Sequence, residues 1–113
     1  MVHQTRMIKK LLLASTMLIA STSLYAAEHW IDVRDAAQYQ ETHVSGAVNI
    51  PLSQIDHRIS EVTQNKDDTL HLYCNTGNNS SKAEVMLKEM GYTHVVNEGG
   101  LRDVEKTQTM IKK

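Results

Sequence analysis

The spacing of apolar residues changes several times along the chain, and each change marks a predicted element boundary. Trp30-Ile31-Asp32-Val33 predicts a short strand, and Asp35 to Glu41, rich in good helix formers, predicts a short helix. Ser45-Gly46 marks a turn, after which Ala47 to Ile50 predicts a second strand ended by Pro51, the only proline. Leu52, Ile55, Ile59 and Val62 follow helical spacing, with Ser53 as a candidate N-cap and Asp56 three residues on. After a polar loop, Gln64 to Asp68, the segment Thr69-Leu70-His71-Leu72-Tyr73 alternates as a strand does and delivers Cys74 at its end. Asn75 to Asn79 is a loop of small polar residues around Gly77. From Ser80, the residues Ala83, Met86, Leu87 and Met90 return to helical spacing until Gly91. His94 to Asn97 predicts the last strand, Gly99-Gly100 the last turn, and Leu101 to Lys113 reads as a polar tail. Strands and helices that alternate with such short connections predict an α/β domain, with a mainly parallel central sheet flanked by helices on both faces.

Residues 1–26 do not fit this pattern. They hold Arg6, Lys9 and Lys10, no acidic residue, and the apolar run Leu11 to Ala20. A basic head, a short apolar stretch and small residues around Ala26 make a secretory signal peptide, cut after Ala26. The run is shorter than the roughly 20 apolar residues that span a bilayer, and Ser15 and Thr16 interrupt it, so no stable membrane anchor is expected after cleavage. An uncleaved amphipathic anchor is the alternative.

Without residues 1–26, nine basic and 13 acidic side chains remain, a net charge of -4. No basic patch dominates, which argues against nucleic acid as a partner. One domain of this size buries a single small core, supplied by Val, Ile, Leu, Met and Ala, because the chain has one Trp, four Tyr and no Phe. A single Cys excludes an intramolecular disulfide and a Cys-rich zinc module. The histidines at 29, 43, 57, 71 and 94 show no metal-ligand spacing, so no metal site and no cofactor is expected.

Cys74 carries the candidate chemistry. It falls at the C-terminal end of a strand, before a glycine-containing loop that opens a helix, which is where open α/β sheets place their ligands. Such a loop can aim successive N–H groups inward, and the helix N-terminus adds partial positive charge. Both favour a thiolate, so a nucleophile exists near neutral pH without a dedicated base. The structural alternative is an inert buried thiol at a strand end. Export weighs for use, since an unpaired thiol is a liability in an oxidising compartment.

Asp32-Val33-Arg34, Tyr39 and His43-Val44-Ser45-Gly46-Ala47-Val48-Asn49-Ile50-Pro51 together resemble the N-terminal signature of rhodanese domains. Tyr73-Cys74-Asn75-Thr76-Gly77 resembles their active-site loop, and Gly91-Tyr92 with Val95, Val96 and Gly99-Gly100-Leu101 their closing signature. The resemblance covers residues 28 to 104 and implies a single rhodanese-like domain over 27–104, between the signal peptide 1–26 and a polar tail 105–113. It implies thiosulfate sulfurtransferase activity through a Cys74 persulfide. Thiosulfate is the implied donor, cyanide or a thiol the acceptor, and the backbone amides of Asn75, Thr76, Gly77, Asn78, Asn79 and Ser80 the persulfide cradle. With the signal peptide it implies a periplasmic protein.

Close members of the family carry Arg where this chain has Asn78, so weaker thiosulfate binding is expected, with Lys82 the nearest substitute cation. Phosphatases and arsenate reductases of similar fold need an Arg six residues after the Cys, and that position is Ser80. Disulfide exchange lacks a resolving Cys. A non-catalytic sulfane-sulfur carrier or binding module stays open, because carrier and enzyme need the same persulfide. Asp32 and Arg34 read as a structural ion pair, and His43 as a packing or hydrogen-bonding residue.

Overall fold

The structure is a computed structural model and describes residues 26–113. The signal peptide expectation therefore falls almost wholly outside the described residues. Four parallel strands form the central sheet: β1 (Glu28–Asp32), β3 (Val48–Asn49), β4 (Thr69–Tyr73) and β5 (His94–Asn97), in the order β3-β1-β4-β5. Helix α1 (Ala36–Glu41) follows β1. A 3-10 turn (Leu52–Gln54) and α2 (Ile55–Val62) lead from β3 to β4, and α3 (Asn78–Glu89) leads from β4 to β5.

Side chains alternate between the two sheet faces, which divides the core in two. Ile31, Leu70, Leu72 and Val95 point to one face, where Ile55 and Ile59 of α2 and Ala83 and Leu87 of α3 cover them. Each Ile or Leu sealed there contributes about 1.5–3 kcal/mol. Tyr73 points to the other face with partly buried Trp30, against Val44, Ala47, Leu101, Val104 and Met110. Helices thus lie on both faces, with α4 (Leu101–Glu105) on the second.

Three elements were not anticipated from the apolar pattern. The predicted polar tail forms α4 and then β6 (Met110–Lys112), which pairs antiparallel with β2 (Thr42–Val44), itself unpredicted. The pairing joins His43 to Ile111 and Val44 to Met110, so the stretch 105–113 is built into the fold through backbone contacts, not apolar periodicity. Ser53 is not the N-cap of α2. It lies inside the 3-10 turn, and Gln54 precedes the helix without a side-chain cap. Helix α3 begins two residues before the expected Ser80, at Asn78.

Candidate active site

In a parallel sheet, ligands sit beyond the carboxyl ends of the strands, where neighbouring strands send their connections to opposite sides. Here that place lies between β1, whose successor within this sheet is β3 on one side, and β4, which leads to β5 on the other. A cavity of about 370 Å³ opens there. The stretch after β1 lines it with Arg34, Asp35 and Gln38, and the stretch after β4 with Cys74, Asn75, Thr76, Asn78 and Asn79.

Cys74 is buried at the base of this cavity, 2% exposed. The loop turns sharply enough to come back onto its own sulfur because Gly77 has φ +96°, a left-handed conformation that side chains disfavour. The amides of Gly77 and Ser80 donate to Cys74 Sγ at 3.0 and 3.4 Å, and Ser80 Oγ lies 3.3 Å from it. Burial pushes the thiol up, but the Ser80 hydroxyl and the amides of Ser80, Thr76 and Gly77 outweigh it, leaving the Cys74 pKa below its ordinary value. Helix α3 starts at this point, so its N-terminal partial charge acts in the same direction.

Of the six predicted cradle residues, the structure brings Gly77 and Ser80 to the sulfur by their amides, and Thr76 contributes through its backbone. Asn75, Asn78 and Asn79 line the cavity, while Ser80 is buried beneath it. Lys82 is exposed on α3 and is not among the lining residues, so it does not replace a cation at Asn78.

The loop is braced from the second glycine turn. Cys74 N–H donates to Gly99 O at 3.2 Å, Leu101 N–H donates to Asn75 O at 3.1 Å, and Thr76 bridges to Gly100. A Cβ at Gly100 would collide with the Asn75 carbonyl, so the close approach needs glycine.

Asp32 and Arg34 form the ion pair expected of them. Arg34 also donates to Thr42 O, and Asn49 Nδ2 donates to the carbonyls of Asp32 and Arg34 at 3.0 and 2.9 Å. His43 stacks on Tyr39 with ring centroids 3.8 Å apart and bonds to the Tyr39 carbonyl. His71 lies between Glu98 and Glu28, at 2.6 and 2.7 Å, and stacks on Trp30. Among the described residues no cluster of His, Cys, Asp or Glu is placed to hold a metal ion, and no helix is long and apolar enough to cross a membrane. The sequence reading overlooked Asp35, Gln38 and Asn97. Asp35 and Gln38 line the cavity, and Asn97 Oδ1 accepts from Ser80 Oγ at 2.7 Å.

A family model for the rhodanese-like domain matches residues 19–107. The chain belongs to the rhodanese-like domain family. It is 53% identical over 98 residues to thiosulfate sulfurtransferase PspE of Escherichia coli, covering 87% of this chain and 93% of that one. Among solved structures, a rhodanese from E. coli described as bound to anions matches with a TM-score of 0.72 and 50% identity, over 77% of this chain and all of the other. The Alr3790 protein from Anabaena matches with a TM-score of 0.69 and 26% identity, over 78% of this chain and 70% of that one. Rhodanese-like members thus share this parallel sheet, and the loop after β4 in this one carries the chain's only cysteine.

Proposed function

We propose that the protein is a thiosulfate sulfurtransferase working through Cys74. The observation that carries this reading is the seat of the sulfur: one thiol at the base of an open cavity, facing two loop amides and a hydroxyl that favour its anion. The Cys74 thiolate attacks the outer sulfur of thiosulfate, the sulfur–sulfur bond of the donor breaks, and sulfite leaves with the bonding pair. The new persulfide carries its negative charge on the outer sulfur, within the reach of the loop amides of Asn75 through Ser80. A thiophilic acceptor, cyanide or a thiol, then attacks that outer sulfur and returns Cys74 as thiolate. The identity to PspE, whose name states this activity, supports the donor.

The whole chain then reads as a cleaved export signal over 1–26 and a catalytic domain that begins at 27 and takes in the stretch 105–113 through the pairing of β6 with β2. The site of action is then the periplasm, with thiosulfate and a small acceptor as partners and no nucleic acid. A basic, acid-free leader and the PspE likeness support this.

Intact-mass spectrometry before and after thiosulfate, with Cys74→Ser in parallel, tests the reading. A gain of one sulfur atom that cyanide discharges with catalytic formation of thiocyanate is expected. No gain on the unsubstituted protein would overturn thiosulfate as donor, and a gain without turnover would make the protein a carrier.

A further inference from the structure

Asn97, the last residue of β5, lies outside the loop yet holds it at two points and the second glycine turn at a third. Its Oδ1 accepts from Ser80 Oγ at 2.7 Å and from the Gly99 amide at 2.9 Å, and its Nδ2 donates to the Gly77 carbonyl at 3.2 Å. Ser80 is fully buried, and its hydroxyl has one hydrogen but three acceptors in reach. They are Asn97 Oδ1, the Gly77 carbonyl at 3.2 Å and Cys74 Sγ at 3.3 Å.

The charge on sulfur decides where that hydrogen goes. A neutral thiol can donate to Ser80 Oγ while Ser80 donates to Asn97, its shortest contact. A thiolate has no hydrogen to give, so the contact is favourable only when the hydroxyl turns toward the sulfur. Asn97 Oδ1 then still holds the Gly99 amide and is not left without a donor. The Gly77 carbonyl already accepts from the Ser81 amide at 3.0 Å and from Asn97 Nδ2, so it competes little for the hydroxyl.

We propose that Asn97 is a positioning residue for Cys74: it anchors the Ser80 hydroxyl beside the sulfur and takes the hydroxyl hydrogen while the sulfur is a neutral thiol, so that forming the thiolate gives up that hydrogen bond. When Sγ becomes the uncharged inner sulfur of a persulfide, its pull weakens and the hydroxyl returns to Asn97. Without Asn97, the hydroxyl has only the sulfur and the already bonded Gly77 carbonyl to donate to, and it turns toward the sulfur. The charged groups around Cys74 remain as they are: Arg34 paired with Asp32, Asp35 on the facing wall, and Asp103 bonded to the Gly100 amide. The persulfide step rests on the sulfurtransferase reading, whereas the thiolate step does not.

The test is a double-mutant cycle on the full chain. Asn97→Leu removes both polar atoms at similar size, and it is made alone and with Ser80→Ala. The pH midpoint of thiolate formation is followed by ultraviolet absorbance and by alkylation with iodoacetamide, which needs no sulfur donor. Ser80→Ala should raise the midpoint by about one to two pH units, the size of a hydrogen bond to a charged group. Asn97→Leu should lower it by about half as much alone and leave it almost unmoved in the Ser80→Ala protein, and a rise would overturn the proposal. An equal shift in both backgrounds, or none in either, would overturn the proposal. Asn97→Ser, smaller and too short to reach Ser80 and Gly77 together, is run through the same cycle so that a folding defect in the Leu variant cannot hide the answer. A null result here beside intact thiosulfate turnover would reject the role of Asn97 alone.

Discussion

Arg34 lays its guanidinium along the Asp32 carboxylate, with Nε 3.0 Å from both oxygens and Nη2 2.7 Å from Oδ2, and both side chains are buried. The pair closes the turn between β1 and α1, because the Arg34 amide also donates to Asp32 Oδ1 at 2.8 Å. That turn carries the Asp35 and Gln38 wall of the cavity. Removing Asp32 would leave an unpaired guanidinium inside the protein. Asp32→Asn is therefore expected to cost about 3–5 kcal/mol of stability, measured by urea unfolding, and replacing both partners by apolar residues should cost less.

Thiosulfate is a dianion, and the cavity wall offers it a carboxylate and no unpaired cation. Asp35 makes no side-chain cap to α1, and the Arg34 charge is committed to Asp32. Asn78→Arg and Asp35→Asn should each lower the KM for thiosulfate, by about two- to fivefold at low salt, as exposed charges do. The gain should shrink as salt rises. An unchanged KM in Asn78→Arg would reject the idea that a missing loop cation weakens donor binding.

Loading of Cys74 should follow its thiolate. Burial raises the thiol pKa, and Ser80 with the loop amides lowers it further than burial raises it. The rate of sulfur uptake at low thiosulfate should thus rise with pH and reach its midpoint below that for alkylation of the same thiol in the urea-unfolded protein. A stopped-flow pH profile with its midpoint at or above that of the unfolded protein would contradict the lowered pKa.

Gly100→Ala should separate folding from chemistry. The added methyl meets the Asn75 carbonyl and pushes the loop from its brace, while the core is untouched. Displacing a reacting group by about an ångström costs on the order of a hundredfold in rate. Sulfur loading should fall by about that factor, with a smaller change in the thermal midpoint measured by circular dichroism.

His71 gives stability a pH dependence of known sign. Burial lowers its pKa, but the Glu98 and Glu28 carboxylates outweigh burial, so the folded value lies above the unfolded one. The stabilisation is complete below about pH 6.5, the unfolded value, and is lost as pH climbs through the folded pKa. In Glu98→Gln the deficit relative to the parent protein should be largest at acid pH and fade in alkali. Urea midpoints across that range check it, and a pH-independent deficit would reject the assignment.

The strands at Thr69–Tyr73 and His94–Asn97 were legible because each is an apolar run with its turn residues attached. Their order, with a glycine loop after Cys74, was enough to locate the site. Thr42–Val44 and Met110–Lys112 were not legible, since three residues carry no measurable period and their pairing joins segments about 70 residues apart. The cavity wall at Asp35 and Gln38 was hidden for a related reason: nothing local in a short helix tells which side faces the crevice of a sheet. Asn97 reads as one more strand end until Ser80, Gly77 and Gly99 gather around it.

The pairing of β6 with β2 sets an order of events in the life of the molecule. Ser45 donates to Thr109 O and Lys113 to Glu41 O, so the last residues clasp the segment that follows the cavity wall. A chain emerging from the ribosome holds Cys74 before it holds Met110 to Lys112, so β2 lacks its partner strand until those residues have been made.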